Sequence, residues 1–164
     1  MPPSSGAPGA PAEGLPIGST APDFTLRDQN HGEVTLSSFR GTKNVVLLFY
    51  PATFTGTCRG ELRAIQDELA AFQNDDVQVL AVSVDSTYAN KVWADQEGFT
   101  FPILSDFWPH GAVAQAYGVF NPAVGRATRG TFVLDKEGTV RWTILNGLPD
   151  ARDSGEYVRV LREL

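Results

Sequence analysis

The chain has little of what several classes of protein depend on. Cys58 is the only cysteine among 164 residues, so the chain can form no internal disulfide and has neither a CxxC redox pair nor the cysteines of a zinc cluster. Its formal net charge of -6 at pH 7 provides no basic surface for nucleic acid or for an anionic membrane. We therefore expect neither nucleic acid nor a membrane as a partner.

Long hydrophobic segments are also missing. The longest apolar run covers residues 44–50, far short of the roughly 20 residues that cross a bilayer as a helix. The first residues show no basic region followed by an apolar one, which is the pattern of an export signal. The expected location is therefore the cytoplasm.

What is present has the composition of one globular domain. Hydrophobic residues make up 42% and charged residues 20%, which is ordinary for a chain long enough to bury a substantial core. Residues 1–16 consist mostly of proline, glycine, alanine and serine, and such a segment cannot bury enough surface to offset the entropy of ordering. We predict a disordered tail over 1–16 and a single domain over 17–164.

Hydrophobic patterns predict alternating strands and helices. Segments 21–26 and 34–36 flank a polar turn and predict a hairpin. Continuous apolar runs predict buried strands, and apolar residues at helical spacing predict amphipathic helices. The further predicted elements are a strand over 45–50, a helix over 56–73, a strand over 77–84, a helix over 88–97, a strand over 102–104, a helix over 109–117, a hairpin of strands 131–134 and 140–145, and a helix over 155–164.

The order of these elements indicates the fold class. The middle of the chain alternates strand, helix, strand and helix, which requires right-handed crossovers between parallel strands. The later hairpin adds an antiparallel pair to the same sheet. We predict an α/β protein with a thioredoxin-like fold, in which a mixed central sheet has helices on both faces.

Cys58 lies where the 45–50 strand gives way to the next helix. Sites in open α/β sheets form beyond the carboxyl ends of strands. A cysteine there faces unpaired backbone N–H groups and the positive end of the helix dipole, which favour the nucleophilic thiolate. A lone cysteine is commonly just a small buried hydrophobic residue. The position nevertheless favours a reactive sulfur.

Two neighbours of Cys58 have both a structural and a chemical interpretation. Pro51 has no backbone N–H, so it ends the strand, and it can also shield the sulfur. The Thr55 hydroxyl can cap the new helix by accepting from an N–H of its first turn, or it can contact a substrate oxygen and the thiolate. His31 and His110 lie in a turn and beside a helix start, so neither is expected to act as a general base for Cys58.

The spacing Pro51-x-x-x-Thr55-x-x-Cys58 resembles the active-site pattern of peroxiredoxins. From Gly18 to its end, the chain is similar to one-Cys peroxiredoxins of the AhpE type. The resemblance implies a thioredoxin-like fold and reduction of peroxides by the sulfur itself, without metal, flavin or haem. The stretches that carry it are 21–26, 54–62, 98–113, 115–121 and 129–133.

The resemblance also implies a role for Arg129, which looks like the arginine that this family places beside the peroxidatic sulfur. Without the resemblance, Arg129 would be interpreted as a solvated residue at a strand edge. A guanidinium near Cys58 would stabilise the thiolate and meet the negative charge that develops on the departing peroxide oxygen. Glu61, one helical turn past Cys58, either holds that guanidinium in place or is an ordinary carboxylate of a first helical turn.

A single cysteine implies an external reductant. Attack on peroxide converts Cys58 to a sulfenic acid, and a thiol from another molecule must then condense with it. The AhpE resemblance implies a low-molecular-weight thiol such as mycothiol with a mycoredoxin-type partner, and a thioredoxin- or glutaredoxin-type donor is the other option. The favoured function is a thiol-dependent peroxidase for hydrogen peroxide, organic hydroperoxides or peroxynitrite.

Other functions remain open at this point. A redox-sensing binding protein would be oxidised once and would pass the signal to a partner through a Cys58 mixed disulfide. A thiol–disulfide oxidoreductase of the same fold would normally need the missing CxxC. The segment 107–109, Phe-Trp-Pro, either packs against a second subunit, as in related dimers, or fills the core. We expect a homodimer.

Overall fold

The computed structural model describes residues 14–145 and 159–164. A short 3-10 helix follows the first hairpin at Leu36–Phe39. The strands are β1 (Thr25–Arg27), β2 (Glu33–Thr35), β3 (Asn44–Phe49), β4 (Val77–Ser83), β5 (Ile103–Ser105), β6 (Phe120–Asn121), β7 (Arg126–Ala127), β8 (Gly130–Leu134) and β9 (Val140–Ile144). The helices are α1 (Gly56–Asp67), α2 (Leu69–Phe72), α3 (Thr87–Glu97) and α4 (Ala112–Ala116).

Seven strands form one mixed sheet in the order β2-β1-β5-β4-β3-β8-β9. Strand β3 runs parallel to β4, and β4 runs parallel to β5. On its other side β3 pairs antiparallel with β8, which in turn pairs antiparallel with β9. The carboxyl end of β3 and the start of β8 therefore lie at the same edge of the sheet.

Both faces of the sheet are covered, because alternate residues of a strand point to opposite faces. Val46, Leu48 and Tyr50 belong to the core that also contains Leu62 of α1 and Trp93 of α3. The intervening residues of β3 belong to a second core, which contains Ala114 of α4 and Tyr117. Every residue of β3 is buried, as its continuous apolar run predicts. Helices on both faces of a mixed sheet agree with the predicted architecture.

Helix boundaries differ from the prediction in two places. The helix predicted over 56–73 breaks at Glu68, whose backbone leaves the helical region, and a separate turn, α2, brings Phe72 into the core. The helix predicted over 109–117 begins only at Ala112, because the backbone of Gly111 is left-handed with φ 72°. The ring of Phe120 occupies the space that a side chain at this position would need. The paired strands β6 and β7 were not predicted, since two residues each carry no periodic signal.

The predicted ends of the domain are only partly described. Residues 1–13 of the predicted tail lie outside the described residues, whereas 14–16 contact the domain: Gly14 N donates to Gly118 O at 3.1 Å, and Leu15 packs against the second core. Most of the helix predicted over 155–164 also lies outside them, and residues 159–162 are helical. Within 14–145 and 159–164, no helix has the length and hydrophobicity needed to cross a bilayer.

Candidate active site

Cys58 occupies the first turn of α1, directly beyond the loop that follows β3. The side chain is 1% exposed and belongs to the core that contains Tyr50 and Leu62. Strand β3 and helix α1 are joined by residues 50–55 alone, so the sulfur is held at the carboxyl edge of the sheet, as its place in the sequence predicts. The thiol is free rather than paired in a disulfide.

Arg129 reaches Cys58 from the neighbouring strand. Gly130, the first residue of β8, pairs with Phe49 at the end of β3, so the preceding arginine stands beside the loop that carries the cysteine. Arg129 Nη2 lies 3.1 Å from Cys58 Sγ, although 71 positions separate the two residues in the chain. Arg129 is only 2% exposed, so the interpretation as a solvated strand-edge residue is wrong. Arg129 therefore places a buried positive charge in contact with the sulfur.

Glu61 orients the guanidinium. Arg129 Nε donates to Glu61 Oε1 at 2.7 Å, and both side chains are 1% exposed. Glu61 stands one helical turn beyond Cys58, so the carboxylate and the sulfur contact the same arginine from one face of α1. The third nitrogen, Arg129 Nη1, is buried and has no hydrogen-bond partner among the described residues. A donor remains for a molecule that binds beside the sulfur.

Thr55 occupies the N-cap position of α1, but its side chain does not cap the helix. Its hydroxyl donates instead to Ala52 O at 2.7 Å, within the loop. Of the two interpretations of Thr55, the side-chain cap of the first helical turn is therefore wrong. The hydroxyl proton goes to a carbonyl within the same loop, and no amide of the first helical turn donates to the hydroxyl oxygen. Thr55 is exposed and Pro51 is buried, both next to the cysteine-bearing turn.

Neither histidine contacts Cys58. His31 Nδ1 lies 3.3 Å from the hydroxyl of Thr87, and His110 Nε2 lies 2.6 Å from Gly125 O. The expectation that no histidine serves as the base for Cys58 agrees with these positions. The positive charge that faces the sulfur therefore comes from Arg129.

Two aromatic side chains, Tyr50 and Trp93, share the core of Cys58, and the sequence patterns did not assign them to the site. Trp93 of α3 lies 5.8 Å from the ring of Tyr50 and 6.2 Å from that of Phe54. Burial raises the pKa of Tyr50 well above its usual range, and the nearby carboxylate of Asp85 raises it further. Tyr50 therefore remains a neutral hydrogen-bond donor. The only sequence signal for Trp93 is its place among the residues of α3 that face the sheet.

The described residues contain no group of histidine, cysteine and carboxylate side chains that could hold a metal ion. The arrangement consists of a buried sulfur, a guanidinium in contact with it, a carboxylate that orients the guanidinium and an exposed hydroxyl at the entrance of the helix. Such a site suits nucleophilic attack by sulfur on a substrate whose leaving atom becomes negative.

Comparison with known proteins identifies close relatives. The model of the AhpC/TSA family matches residues 17–143. The chain is 54% identical over 150 residues to alkyl hydroperoxide reductase E of Mycobacterium tuberculosis, which covers 92% of this chain and 98% of the relative. It is 34% identical over 158 residues to the chloroplastic 2-Cys peroxiredoxin BAS1 of Hordeum vulgare, covering 90% of this chain and 74% of the relative.

Solved structures show the same architecture. Peroxidoxin BcpB from Mycobacterium tuberculosis superposes with a TM-score of 0.81 at 29% identity, covering 90% of this chain and 97% of that one. AhpC of Enterococcus faecalis superposes with a TM-score of 0.81 at 32% identity, covering 90% of each chain. The predicted thioredoxin-like α/β fold is confirmed by these likenesses.

Proposed function

Since this chain belongs to the AhpC/TSA family of peroxiredoxins and is a thiol-dependent peroxidase with one cysteine, we propose that Cys58 is the sulfur that attacks the peroxide. The observation that carries the proposal is the 3.1 Å contact between Arg129 Nη2 and Cys58 Sγ, two side chains that are both buried. A thiolate, unlike a thiol, is the nucleophilic form of cysteine. The guanidinium favours that form.

The proposed reaction is a two-electron transfer from sulfur to the peroxide. The Cys58 thiolate attacks the terminal oxygen of the hydroperoxide, and the O–O bond breaks with its electron pair on the departing oxygen. That oxygen takes up a proton and leaves as an alcohol, or as water when the substrate is hydrogen peroxide. The sulfur is oxidised to a sulfenic acid, and the peroxide is reduced.

Arg129 has two proposed tasks in this step. Nη2 holds the thiolate, and the unpartnered Nη1 donates to the peroxide oxygens as negative charge develops on them. Glu61 keeps the guanidinium plane in place, so that neither nitrogen has to reorganise during the reaction. Pro51, buried within the loop that precedes α1, excludes water from the sulfur.

Thr55 is proposed to donate a second hydrogen bond to the bound peroxide. Its hydroxyl is exposed at the start of α1 and makes no helix cap, so its only described bond is the local one to Ala52 O. A hydroxyl can rotate from this carbonyl to a substrate oxygen without moving the backbone.

Thr55→Val is expected to slow peroxide reduction by about 10²-fold, the usual effect of one lost donor to developing negative charge. This corresponds to about 2.7 kcal/mol in the barrier. The free energy of unfolding should fall by only about 1 kcal/mol, because a single neutral hydrogen bond is lost. Peroxide kinetics and chemical denaturation measure the two quantities, and Thr55→Ser is the matched control that keeps the hydroxyl. Equal kinetic and stability losses would show that the hydroxyl only holds the loop.

The enzyme cycle is completed by a thiol reductant. An external thiol condenses with the sulfenic acid, which releases water and forms a mixed disulfide, and a second thiol then exchanges with it to regenerate Cys58. We propose a small thiol such as mycothiol with a mycoredoxin-type partner as the donor, with a thioredoxin- or glutaredoxin-type protein as the other candidate. A cycle that consumes thiol suits a reducing compartment, so the cytoplasm is the proposed location.

Oxidised protein incubated with a small thiol should gain one thiol adduct per chain, on Cys58, because no second cysteine can form an internal disulfide. Excess peroxide without thiol should instead convert Cys58 to a sulfinic acid. Intact mass and non-reducing gels measure both products. A predominant covalent dimer through Cys58 in dilute protein with thiol present would contradict the cycle and support the redox-sensing function instead.

A homodimer is also proposed, because a group of large aromatic side chains lies exposed near the same edge of the sheet. Phe107 is 54% and Trp108 79% exposed, so this segment does not fill the core of the described chain. Surfaces of this kind commonly mark protein–protein contacts. Sedimentation equilibrium of the whole chain, compared with that of Trp108→Glu, tests the proposal, and a monomer at all concentrations would reject it.

A further inference from the structure

The loop that leads to Cys58 is held by polar side chains from two other elements. The Thr53 backbone N–H donates to Asp85 Oδ2 at 2.8 Å, and the Thr53 hydroxyl donates to Asn90 Oδ1 at 2.7 Å. Asp85 follows β4 and also accepts a hydrogen bond from the hydroxyl of Ser105 at its carbonyl, whereas Asn90 lies on α3. Thr53 is 6% and Asn90 0% exposed. The bond to Asn90 is therefore shielded from competition by water, and the bond to Asp85 is partly shielded.

Tyr50 extends this network toward the sulfur. Its hydroxyl lies 3.0 Å from Thr53 Oγ1. Because Thr53 gives its single hydroxyl proton to Asn90, Tyr50 must be the donor in this pair. Tyr50 and Cys58 belong to the same core on the same face of the sheet. The hydrogen bonds therefore run in one direction, from Tyr50 to Thr53 to Asn90, beneath the loop.

The loop needs such anchors because one of its residues is strained. Phe54 has φ 73°, in the left-handed region that residues with a side chain rarely adopt, and the residue is 54% exposed. A residue in this region persists only where the surrounding structure holds it from both sides. On the far side, the Thr55 carbonyl accepts the first bond of α1 from Arg59 N at 2.9 Å. On the side that precedes Phe54, the loop is held by the hydrogen bonds of Thr53 to Asp85 and Asn90.

Stability alone does not account for these polar groups. Asn90 Nδ2 is buried and lacks a hydrogen-bond partner in the described part of the protein. A buried amide with an unmet donor destabilises a fold relative to an apolar side chain of similar shape. A polar network kept in spite of such a cost, beside a strained residue and a reactive sulfur, indicates a role in the site.

We propose that Thr53, Asn90 and Asp85 are positioning residues that hold the loop so that Thr55 and Cys58 stand where the peroxide reaction needs them. This inference rests on the roles proposed above for those two residues. Attack on a peroxide requires the sulfur, the oxygen and the donors in one geometry, and a shift of about 1 Å can slow a reaction by ~10²-fold. Release of Thr53 lets Phe54 relax and moves the hydroxyl of Thr55 relative to the sulfur.

The test compares Thr53→Val, Thr53→Ser and the double variant Thr53→Val with Asn90→Leu. Oxidation of Cys58 by one equivalent of hydrogen peroxide is followed by quenched-flow intact mass, and alkylation of Cys58 by iodoacetamide is followed in parallel. Alkylation needs the thiolate but not the peroxide geometry. Thr53→Val should lower the peroxide rate constant about tenfold while the alkylation rate stays within about twofold. Thr53→Ser, which keeps the hydroxyl, should show the wild-type rate for both the peroxide reaction and alkylation.

The double variant separates positioning from stability. Removing both polar partners should recover part of the stability lost in Thr53→Val, because the Asn90 amide is gone and the Tyr50 hydroxyl alone has lost its Thr53 partner. Under the proposal its peroxide rate constant stays low. The positioning role would be overturned if the double variant recovered the peroxide rate constant together with its stability. It would also be overturned if Thr53→Val slowed peroxide reduction and alkylation equally, or slowed neither. Absence of Cys58 oxidation in the wild type would instead overturn the assignment of Cys58, so the two failures are distinguishable.

Discussion

Cys58→Ser is expected to abolish peroxide reduction while the fold stays intact. A serine hydroxyl is not ionised at pH 7, so the nucleophile is lost. The side chain at this position is 1% exposed and changes little in volume, and Arg129 Nη2 can donate to the new oxygen as it does to the sulfur. Peroxide consumption with excess thiol measures the activity, and thermal unfolding monitored by circular dichroism measures the fold.

The control for this variant is Cys58→Ala, which removes the sulfur without adding a hydroxyl. Both variants should be equally inactive and should melt as single cooperative transitions. Activity above about a tenth of the wild-type rate in either folded variant would reject Cys58 as the reacting sulfur, since the loss of a nucleophile removes the whole covalent route.

Arg129→Met should slow peroxide reduction by ~10²–10³-fold, because one of the charged donors to the developing oxyanion is removed. The methionine keeps part of the apolar stem of the arginine. Alkylation of Cys58 by iodoacetamide at pH 7 should slow as well, since the positive charge 3.1 Å from the sulfur is lost. Second-order rate constants for both reagents provide the measurement. If both are unchanged, Arg129 has no part in the chemistry.

A stability control is needed because the arginine is paired. Removing one member of a buried ion pair typically destabilises a protein by about 3–5 kcal/mol, and the pair of Arg129 with Glu61 is 1% exposed on each side. Arg129→Met combined with Glu61→Gln removes the uncompensated charge and should recover part of that stability. The peroxide rate constant should not recover. Arg129→Lys, which keeps the charge but loses the fork of donors, should fall between wild type and Arg129→Met.

The order and type of the main elements could be predicted because their signals are local. The apolar run that became β3, the alternation of strands and helices, and the turn at Cys58 all depend on residues close together in the chain. The ends of helices were less well predicted where they depend on the backbone conformation of a single residue. Glu68 and Gly111 leave the helical region, and neither change disturbs the hydrophobic pattern that predicted the longer helices.

The site divides in the same way. Cys58, Thr55 and Pro51 lie within eight consecutive residues, so their proximity follows from the chain itself. Arg129 was linked to them only by resemblance to a family, and its own neighbours in sequence favoured a solvated surface position. Its burial depends on the pairing of β8 with β3, which sequence spacing does not encode.

By itself, the sequence determined that there is one cysteine, that it lies at a strand-to-helix turn and that the chain can form no internal disulfide, because a residue count and a local pattern are sufficient for these. Only the tertiary structure decided that Arg129 touches Cys58 and that Thr55 binds Ala52 O instead of capping α1. It also decided that Thr53 is tied to Asp85 and Asn90. Each of these contacts depends on how distant strands and helices pack, or on how the loop before α1 folds around the Thr55 hydroxyl.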